Sequence, residues 1–135
     1  MSQNLAKLAE LTSRLRSPNE EVDQLFATSP NFICVIGADA QMVRVSASWV
    51  KVMGWSPEEL CSQQFFHFVH PDDMEKTVAA WKTCTETGEV VHNFVNRYRC
   101  KDGSYRTLLW NTSATISNGT LYGSASDITT LVLSG

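Results

Sequence analysis

The stretch "FVHPDD" at residues 68–73 places a histidine and two aspartates around a proline. Three kinds of chemistry or structure could use this grouping: acid/base catalysis, a metal site built from His70, Asp72 and Asp73, or the start of a helix. Pro71 suits the first position of a helix, and the helix dipole favours acidic residues in the first turn. No second histidine follows at ligand spacing. The sequence therefore favours a helix start capped by His70 over a catalytic or ligand role.

The rest of the sequence offers no second candidate for catalysis. It contains no glycine-rich phosphate loop, no nucleophile elbow and no paired metal-ligand motif. Because helix capping accounts for the one grouping that could perform acid/base chemistry, we expect no enzyme activity within these residues. We therefore turn from catalytic motifs to the composition of the chain and to its predicted helices and strands.

Composition restricts the class of protein and its partners. At 135 residues and 15.0 kDa, with 43% hydrophobic residues, the chain can form one domain with a real core. The formal charge is −3 and the basic residues are scattered, so neither nucleic acid nor an anionic membrane is an expected partner. Because no apolar stretch approaches the roughly 20 residues of a membrane span and no signal peptide is evident, we expect a cytoplasmic location.

The four cysteines are too far apart in sequence to form the close pairs of zinc ribbons or redox motifs. Free cysteines are among the most buried residue types in folded proteins. We therefore expect reduced, mostly buried thiols at Cys34, Cys61, Cys84 and Cys100.

Periodicity and capping signals predict several helices. An apolar stripe predicts an N-terminal amphipathic helix and consists of Leu5, Leu8, Leu11 and Leu15. The stretches "SPNE" at 17–20 and "SPEE" at 56–59 each read as a capping box that starts a helix. Gly54 and Gly88 stand where a left-handed residue ends a helix. The helix that follows "HPDD" should carry a buried stripe of Met74, Val78 and Trp81, continued by Cys84 or Thr85.

Runs rich in β-branched and aromatic residues predict five strands. Residues 32–36 and 41–45 form one hairpin, and "KDGS" joins the next two runs in a second hairpin. A last run, "LYGSASDIT", follows the turn "SNG". This order predicts an α+β domain with one antiparallel sheet and its helices gathered on one face.

The element order and four motifs resemble the PAS sensor domain. The motifs are "VSASWVKVMGWSPEEL", "FFHFVHPDD", "RYRCKDGSYRTLLWN" and "SDIT", and the resemblance covers about residues 20–130. The family often has Asn where Ser46 stands and Gly where Ser62 stands, so these two positions depart from the family pattern. The resemblance implies the PAS fold, in which a five-stranded antiparallel sheet cups a pocket walled by the middle helices.

The resemblance also implies a regulatory role. A PAS domain senses a small ligand, cofactor or partner and passes its state to an effector, commonly a histidine kinase or a diguanylate cyclase. We expect an N-terminal amphipathic helix at 1–17, a PAS sensor at 18–130 and the start of an output linker at 131–135. Asp127 and Thr129 of the "DIT" motif would relay the signal. A ligand-free module for dimerisation or protein interaction is the alternative.

Carrying the family topology onto these strands places a set of side chains toward the pocket. A period of two puts alternate residues of a strand on one face. These residues either fill the core or line an open ligand cavity. The set is Phe94, Asn96, Tyr98, Leu108, Trp110, Thr112 and Ala125 from the strands, with Trp81 from the long helix.

The sequence matches the cofactor-binding motifs of related sensors poorly. Flavin photoreceptors of this fold use a reactive cysteine motif, which "ELCSQQFF" does not match, and amide side chains at positions that read Tyr98, Leu108 and Ala125 here. Haem-binding relatives use a histidine on the long helix, where "MEKTVAAWK" has none, although His67 precedes it. We leave the cofactor unidentified and favour none over haem or non-covalent flavin.

The leucine stripe needs an apolar partner, because an isolated helix of this length is marginal in water. Either the outer face of its own sheet or the same helix of a second subunit could supply that partner. A two-fold interface pairs a surface with itself, and a leucine stripe is complementary to itself. We therefore predict a homodimer in which Leu5, Leu8, Leu11 and Leu15 form the interface with the sheet.

Overall fold

A computed structural model describes residues 20–113 and 119–134. In chain order its elements are helix α1 (Glu20–Thr28), strands β1 (Phe32–Ile36) and β2 (Met42–Val45), helices α2 (Ala47–Met53) and α3 (Pro57–Cys61), two 3₁₀ turns (Phe65–Phe68 and Pro71–Asp73), helix α4 (Met74–Thr87), strands β3 (Phe94–Arg99), β4 (Tyr105–Thr112) and β5 (Leu121–Asp127), and helix α5 (Thr129–Ser134). The predicted leucine stripe and the cap at Ser17 lie outside the described residues.

The five strands form one antiparallel sheet in the order β2-β1-β5-β4-β3. The predicted α+β class with a five-stranded sheet is therefore confirmed. Trp110 pairs with Phe94 on one side and with Ala125 on the other. Since side chains alternate along a strand, this register gathers the inward residues of β3, β4 and β5 on one face, toward α2 and α4.

The helix ends follow the signals in the sequence. Ser56 Oγ accepts a hydrogen bond from the Glu59 amide at 3.0 Å, and Glu59 Oε1 accepts one from the Ser56 amide at 2.9 Å. This reciprocal pair is the predicted capping box. Gly54 ends α2 and Gly88 ends α4, with φ angles of 85° and 76° that favour glycine.

The two positions that depart from the family pattern keep an ordinary local structure. Ser46 is fully buried, and its Oγ accepts a hydrogen bond from the Ile33 amide and donates one to the Asn31 carbonyl. Ser62 has φ of −86°, a conformation that any residue adopts. Serine is therefore accommodated at both positions.

An aromatic cluster fixes the distance between α2 and the sheet. The indole of Trp49 is fully buried, with ring centroids of Phe32 and Tyr98 at 5.4 Å and that of Trp110 at 5.9 Å. Trp49 Nε1 donates to the Ile33 carbonyl at 3.2 Å, so the ring pays no penalty for an unpaired N–H. This cluster lies beside the cavity described below. No helix within residues 20–113 and 119–134 is long and apolar enough to cross a bilayer.

Candidate functional site

The "HPDD" stretch starts a helix, as predicted. His70 Nδ1 accepts a hydrogen bond from the Asp72 amide at 3.0 Å, and Pro71 occupies the first position. The first turn is 3₁₀ and continues into α4 at Met74. The side chain of His70 therefore caps the turn.

Asp73 has a further role that sequence reasoning missed. Its Oδ2 accepts hydrogen bonds from the Arg97 amide at 2.8 Å and from Arg97 Nε at 2.9 Å, while Oδ1 accepts one from Nη2 at 2.9 Å. Hydrogen bonds from the Arg97 side chain lower the pKa of Asp73 to about 2. From the sequence, Asp73 was predicted only to lie in the first helical turn, where the helix dipole favours acidic residues. Nothing in the sequence shows that β3 passes beside this turn.

Two backbone contacts complete this junction between α4 and β3. The His70 amide donates to the Arg97 carbonyl at 2.9 Å, and Val69 forms a β-bridge with Tyr98. The beginning of α4 is thus fastened to the middle of β3. This attachment sets which face of α4 turns toward the sheet.

A cavity of about 50 Å³ lies between α4 and the inner face of the sheet; we call it the α4 cavity. Six of the eight residues predicted for the pocket line it. They are Trp81, Phe94, Asn96, Tyr98, Trp110 and Thr112. The alternation predicted for β3 and β4 therefore agrees with the structure, whereas binding of a ligand by these residues remains a prediction.

Leu108 and Ala125 were also predicted for the pocket, but they do not line the α4 cavity. Both are fully buried on the same face of the sheet. Leu108 precedes Trp110 by two residues and pairs with Asp127, near the end of β5 that leads into α5. Because residues two apart on a strand are separated by about 6.6 Å, sharing a face does not guarantee sharing a cavity.

The other residues that line the cavity were not predicted from the sequence to line it. The helix contributes Thr77, Ala80 and Cys84, and the remaining walls come from Ile36, Phe65, Val91, Leu121 and Gly123. Helical spacing from Trp81 could have found Thr77 and Cys84, which are four residues before it and three after it. The buried stripe predicted for α4 included Val78 and omitted Thr77. In the structure Thr77 is buried, while Val78 is only half-buried.

A chain of hydrogen bonds enters the α4 cavity from Asp73. The Thr77 hydroxyl donates to the Asp73 carbonyl at 2.7 Å, and Asn96 Nδ2 donates to Thr77 Oγ1 at 3.2 Å. Burial raises the pKa of Tyr98 well above its usual range, and a hydrogen bond with Asn96 lowers it by less. Tyr98 is therefore a neutral phenol at physiological pH.

Two polar atoms on the cavity wall remain without a hydrogen-bond partner among the described residues. They are Asn96 Oδ1 and Trp110 Nε1. Both side chains are buried, with 2% of Asn96 and 5% of Trp110 exposed. A buried polar group without a partner costs about 1–3 kcal/mol, so a molecule that satisfied these atoms would recover that energy.

The residues predicted to relay a signal hold the start of α5. Asp127 Oδ1 accepts hydrogen bonds from the Thr129 amide at 3.0 Å and hydroxyl at 2.6 Å. Arg106 on β4 contacts Asp127 Oδ2 through Nε at 2.8 Å and Nη2 at 2.7 Å. The Thr107 amide donates to Thr129 Oγ1 at 2.8 Å. Both predicted residues therefore connect α5 to β4; their role as a relay remains a prediction.

The α4 cavity does not fit a haem or a flavin as it stands. Its volume of about 50 Å³ is far below the roughly 300 Å³ at which pockets for drug-sized ligands begin. His67, the candidate axial ligand, is exposed and does not line the cavity. Within residues 20–113 and 119–134, no group of three His, Cys, Asp or Glu side chains could hold a metal ion.

The cysteines are free thiols, and three of the four are buried. Burial raises the pKa of Cys34 to about 12. It also raises the pKa of Cys61 and Cys100 above their ordinary value. Since the thiolate is the reactive form, these groups are weak nucleophiles at neutral pH.

The chain is similar to a protein-family model and, over a shorter stretch, to a Drosophila protein. A family model described as "PAS fold" matches residues 42–124. Protein cycle of Drosophila melanogaster is 33% identical over 54 residues, which are 40% of this chain. The match spans only 13% of the length of that protein.

Solved structures are similar over most of the chain. The Drosophila melanogaster Cycle PAS-B with bound ethylene glycol has a TM-score of 0.64 at 22% identity, covering 71% of this chain and 98% of that one. A domain of the sensory box sensor histidine kinase/response regulator from Geobacter sulfurreducens has a TM-score of 0.65 at 16% identity, covering 81% and 97%. At these identities the likeness concerns the fold.

Proposed function

Because this chain belongs to the PAS family, we propose that it is the sensory module of a signalling protein, in which a small ligand in the α4 cavity changes the state of an attached effector. PAS domains are regulatory modules that commonly dimerise and contact partners. The proposal assigns the sensor to residues 18–130 and the start of the output connection to residues 131–135.

The observation that carries this proposal is the double attachment of β4. At one end of the strand, Trp110 and Thr112 line the α4 cavity. At the other end, Arg106 and Thr107 hold the start of α5 through Asp127 and Thr129. A ligand that shifts β4 by a fraction of an ångström would therefore strain the hydrogen bonds that fix the direction of α5.

We propose that the effector is a histidine kinase or a diguanylate cyclase. The likeness in fold to a domain of the Geobacter sulfurreducens sensor histidine kinase/response regulator supports the first of these. A homodimer would carry the signal, since a change in the direction of α5 in each subunit would alter the angle between two attached effectors. Asp127 and Thr129 are the relay residues of this mechanism.

The test begins with native mass spectrometry of freshly purified protein, which reports a bound small molecule and the oligomeric state together. Hydrogen exchange then compares the protein with and without that molecule. We expect the exchange of the Thr107 and Ile128 amides to change, because these amides donate to Thr129 Oγ1 and to the Thr107 carbonyl at the start of α5.

A matched pair of variants separates an effect in the cavity from a general effect on α4. Ala80→Leu places a larger side chain in the α4 cavity and should abolish both the bound molecule and the exchange response. Ala79→Leu adds the same atoms at an exposed neighbour and should leave both intact. A protein that carries no small molecule and dimerises equally well in both variants would support the ligand-free interaction module instead.

A further inference from the structure

The unpaired atoms of the α4 cavity carry information about the chemistry of its ligand. This inference rests on the proposed ligand-sensing function and makes it more specific. Asn96 Oδ1 is a hydrogen-bond acceptor and Trp110 Nε1–H is a donor. The ligand must therefore offer one donor and one acceptor to the wall of the cavity.

The orientation of the Asn96 amide follows from its neighbours. The Thr77 hydroxyl donates its single proton to the Asp73 carbonyl, so Thr77 Oγ1 can only accept from Asn96. The Asn96 group that faces Thr77 is therefore the NH₂. Oδ1 is left as the unsatisfied acceptor.

Trp110 differs from two other tryptophans of the domain. Trp49 Nε1 donates to the Ile33 carbonyl at 3.2 Å, and Trp55 Nε1 donates to the Arg99 carbonyl at 2.8 Å. Among the described residues no carbonyl accepts from Trp110 Nε1, although only 5% of Trp110 is exposed. In the sheet, Trp110 pairs with Phe94, so Asn96 is its diagonal neighbour on the same face, at a typical separation of about 7–8 Å that is somewhat shorter between the Cβ atoms. Both unsatisfied atoms thus belong to one wall.

The rest of the wall sets the size and charge of the ligand. None of the described residues that line the cavity carries a formal charge, so a charged group would be desolvated there without a counterion from residues 20–113 and 119–134. The volume of about 50 Å³, against about 10–15 Å³ for one water, suits a molecule of about four or five non-hydrogen atoms. Apart from the unsatisfied pair, most of the lining is aliphatic and aromatic.

We propose that the α4 cavity recognises a small uncharged molecule with an apolar body and a hydroxyl group, namely a short-chain alcohol or diol. A hydroxyl is both donor and acceptor, so it can donate to Asn96 Oδ1 and accept from Trp110 Nε1–H. The aliphatic part then contacts apolar side chains such as Phe94 and Trp81. An alkane of the same size leaves both atoms unpaired, and a carboxylate or an amine, ionised at neutral pH, buries a charge.

The test compares two probes with the same number of non-hydrogen atoms, 1-butanol and 1-chlorobutane, by NMR titration. We expect the indole N–H resonance of Trp110 to move downfield with 1-butanol as the group gains an acceptor, and to show no such shift with 1-chlorobutane. This measurement uses the unaltered protein and does not depend on the folding of any variant.

Variants then test the acceptor. In Asn96→Leu the ratio of the 1-chlorobutane Kd to the 1-butanol Kd should fall by about tenfold or more, because only the alcohol uses Oδ1. Asn111→Leu is the matched control on the opposite face of β4, and it should keep the ratio of the unaltered protein.

The outcomes distinguish this inference from the proposed function. If both probes bind and Asn96→Leu leaves the ratio unchanged, the α4 cavity takes small ligands but does not select a hydroxyl, so this inference fails alone. Waters that satisfy both atoms would give the same result. If neither probe shifts the cavity resonances, the inference also fails, and the sensing function fails with it only if the native mass spectrum shows no bound molecule.

Discussion

Gly123 of β5 lies so close to the indole of Trp110 that a Cβ atom on Gly123 would be 3.0 Å from Cζ3 and 3.3 Å from Cε3 of that ring. The same Cβ would lie 3.4 Å from Cys34 Sγ. The absence of a side chain at this position therefore sets how the Trp110 ring lies against the sheet beside the α4 cavity.

Replacing Gly123 by alanine should destabilise the domain. Crowding in a packed core costs about 1–3 kcal/mol, offset by about 0.4–1 kcal/mol from the smaller entropy of the unfolded chain. We expect a net loss of about 1–2 kcal/mol in urea unfolding. The double variant with Trp110→Phe should lose less than the sum of the single variants, since the smaller ring leaves room for the methyl group. If the losses of the two single variants simply added up in the double variant, steric contact between the new methyl group and the indole would not be the cause of the destabilisation.

Removal of the indole itself should cost more. Trp110→Ala deletes a ring that contacts Trp49 and Tyr98, and large-to-small aromatic changes in a core cost about 3–5 kcal/mol. The free energy of unfolding, measured in urea, checks this. Leu109→Ala on the opposite face should cost less, because Leu109 is only half-buried. A loss below about 1 kcal/mol for Trp110→Ala would be at odds with its burial in the core.

The ion pair of Asp73 and Arg97 should make stability depend on pH. The pKa of Asp73 is lowered from 3.8 to about 2, so the bond stabilises the folded state above about pH 4 and is lost as pH falls toward 2. Because 38% of the Arg97 side chain is exposed, we discount the full shift and expect Asp73→Asn to cost about 1–2 kcal/mol at pH 7.

That cost should shrink as the pH falls below about 4, since the unaltered protein then loses the same interaction. Urea unfolding at pH 7 and pH 3 measures the difference. Asp72→Asn, in the same turn but exposed, serves as the control and should change stability by less than about 0.5 kcal/mol. An Asp73→Asn cost that is identical at both pH values would contradict the assigned ion pair.

His70 is expected to matter for stability rather than for chemistry. His70→Ala removes the acceptor for the Asp72 amide and should cost about 0.5–2 kcal/mol, as loss of other caps does. His70→Asn restores a capping acceptor and should recover most of that loss. Any molecule that copurifies with the protein should remain bound in both variants, and its complete loss in His70→Ala would assign His70 to ligand binding.

The homodimer is tested by removing residues 1–16, which contain the leucine stripe. We expect light scattering at tens of micromolar to give a dimer mass for the 135-residue chain and a monomer mass for the shortened one. The expectation rests on the self-complementarity of the stripe. A shortened chain that stays dimeric would make these residues dispensable for association, and a monomeric 135-residue chain would refute the dimer.

Local patterns alone determined most of the elements. The capping box at Ser56, the left-handed caps at Gly54 and Gly88 and the alternation along β4 depend on residues within a few positions of one another, so the sequence displays them directly. The same reason explains why the role of His70 as a cap was predicted correctly. Such signals also carried the resemblance to the PAS family.

Only the tertiary structure decided how these elements meet. Asp73 and Arg97 are 24 residues apart, and nothing local to either residue shows that α4 begins beside β3. The same junction turns Thr77 toward Asn96, and Asn96 Oδ1 has no partner within residues 20–113 and 119–134. Leu108 shares its face with Trp110 yet lies outside the cavity, because the boundary of a cavity depends on which elements cover the sheet at each point. Sequence periodicity gives the face of a residue, whereas packing between distant segments gives its neighbours.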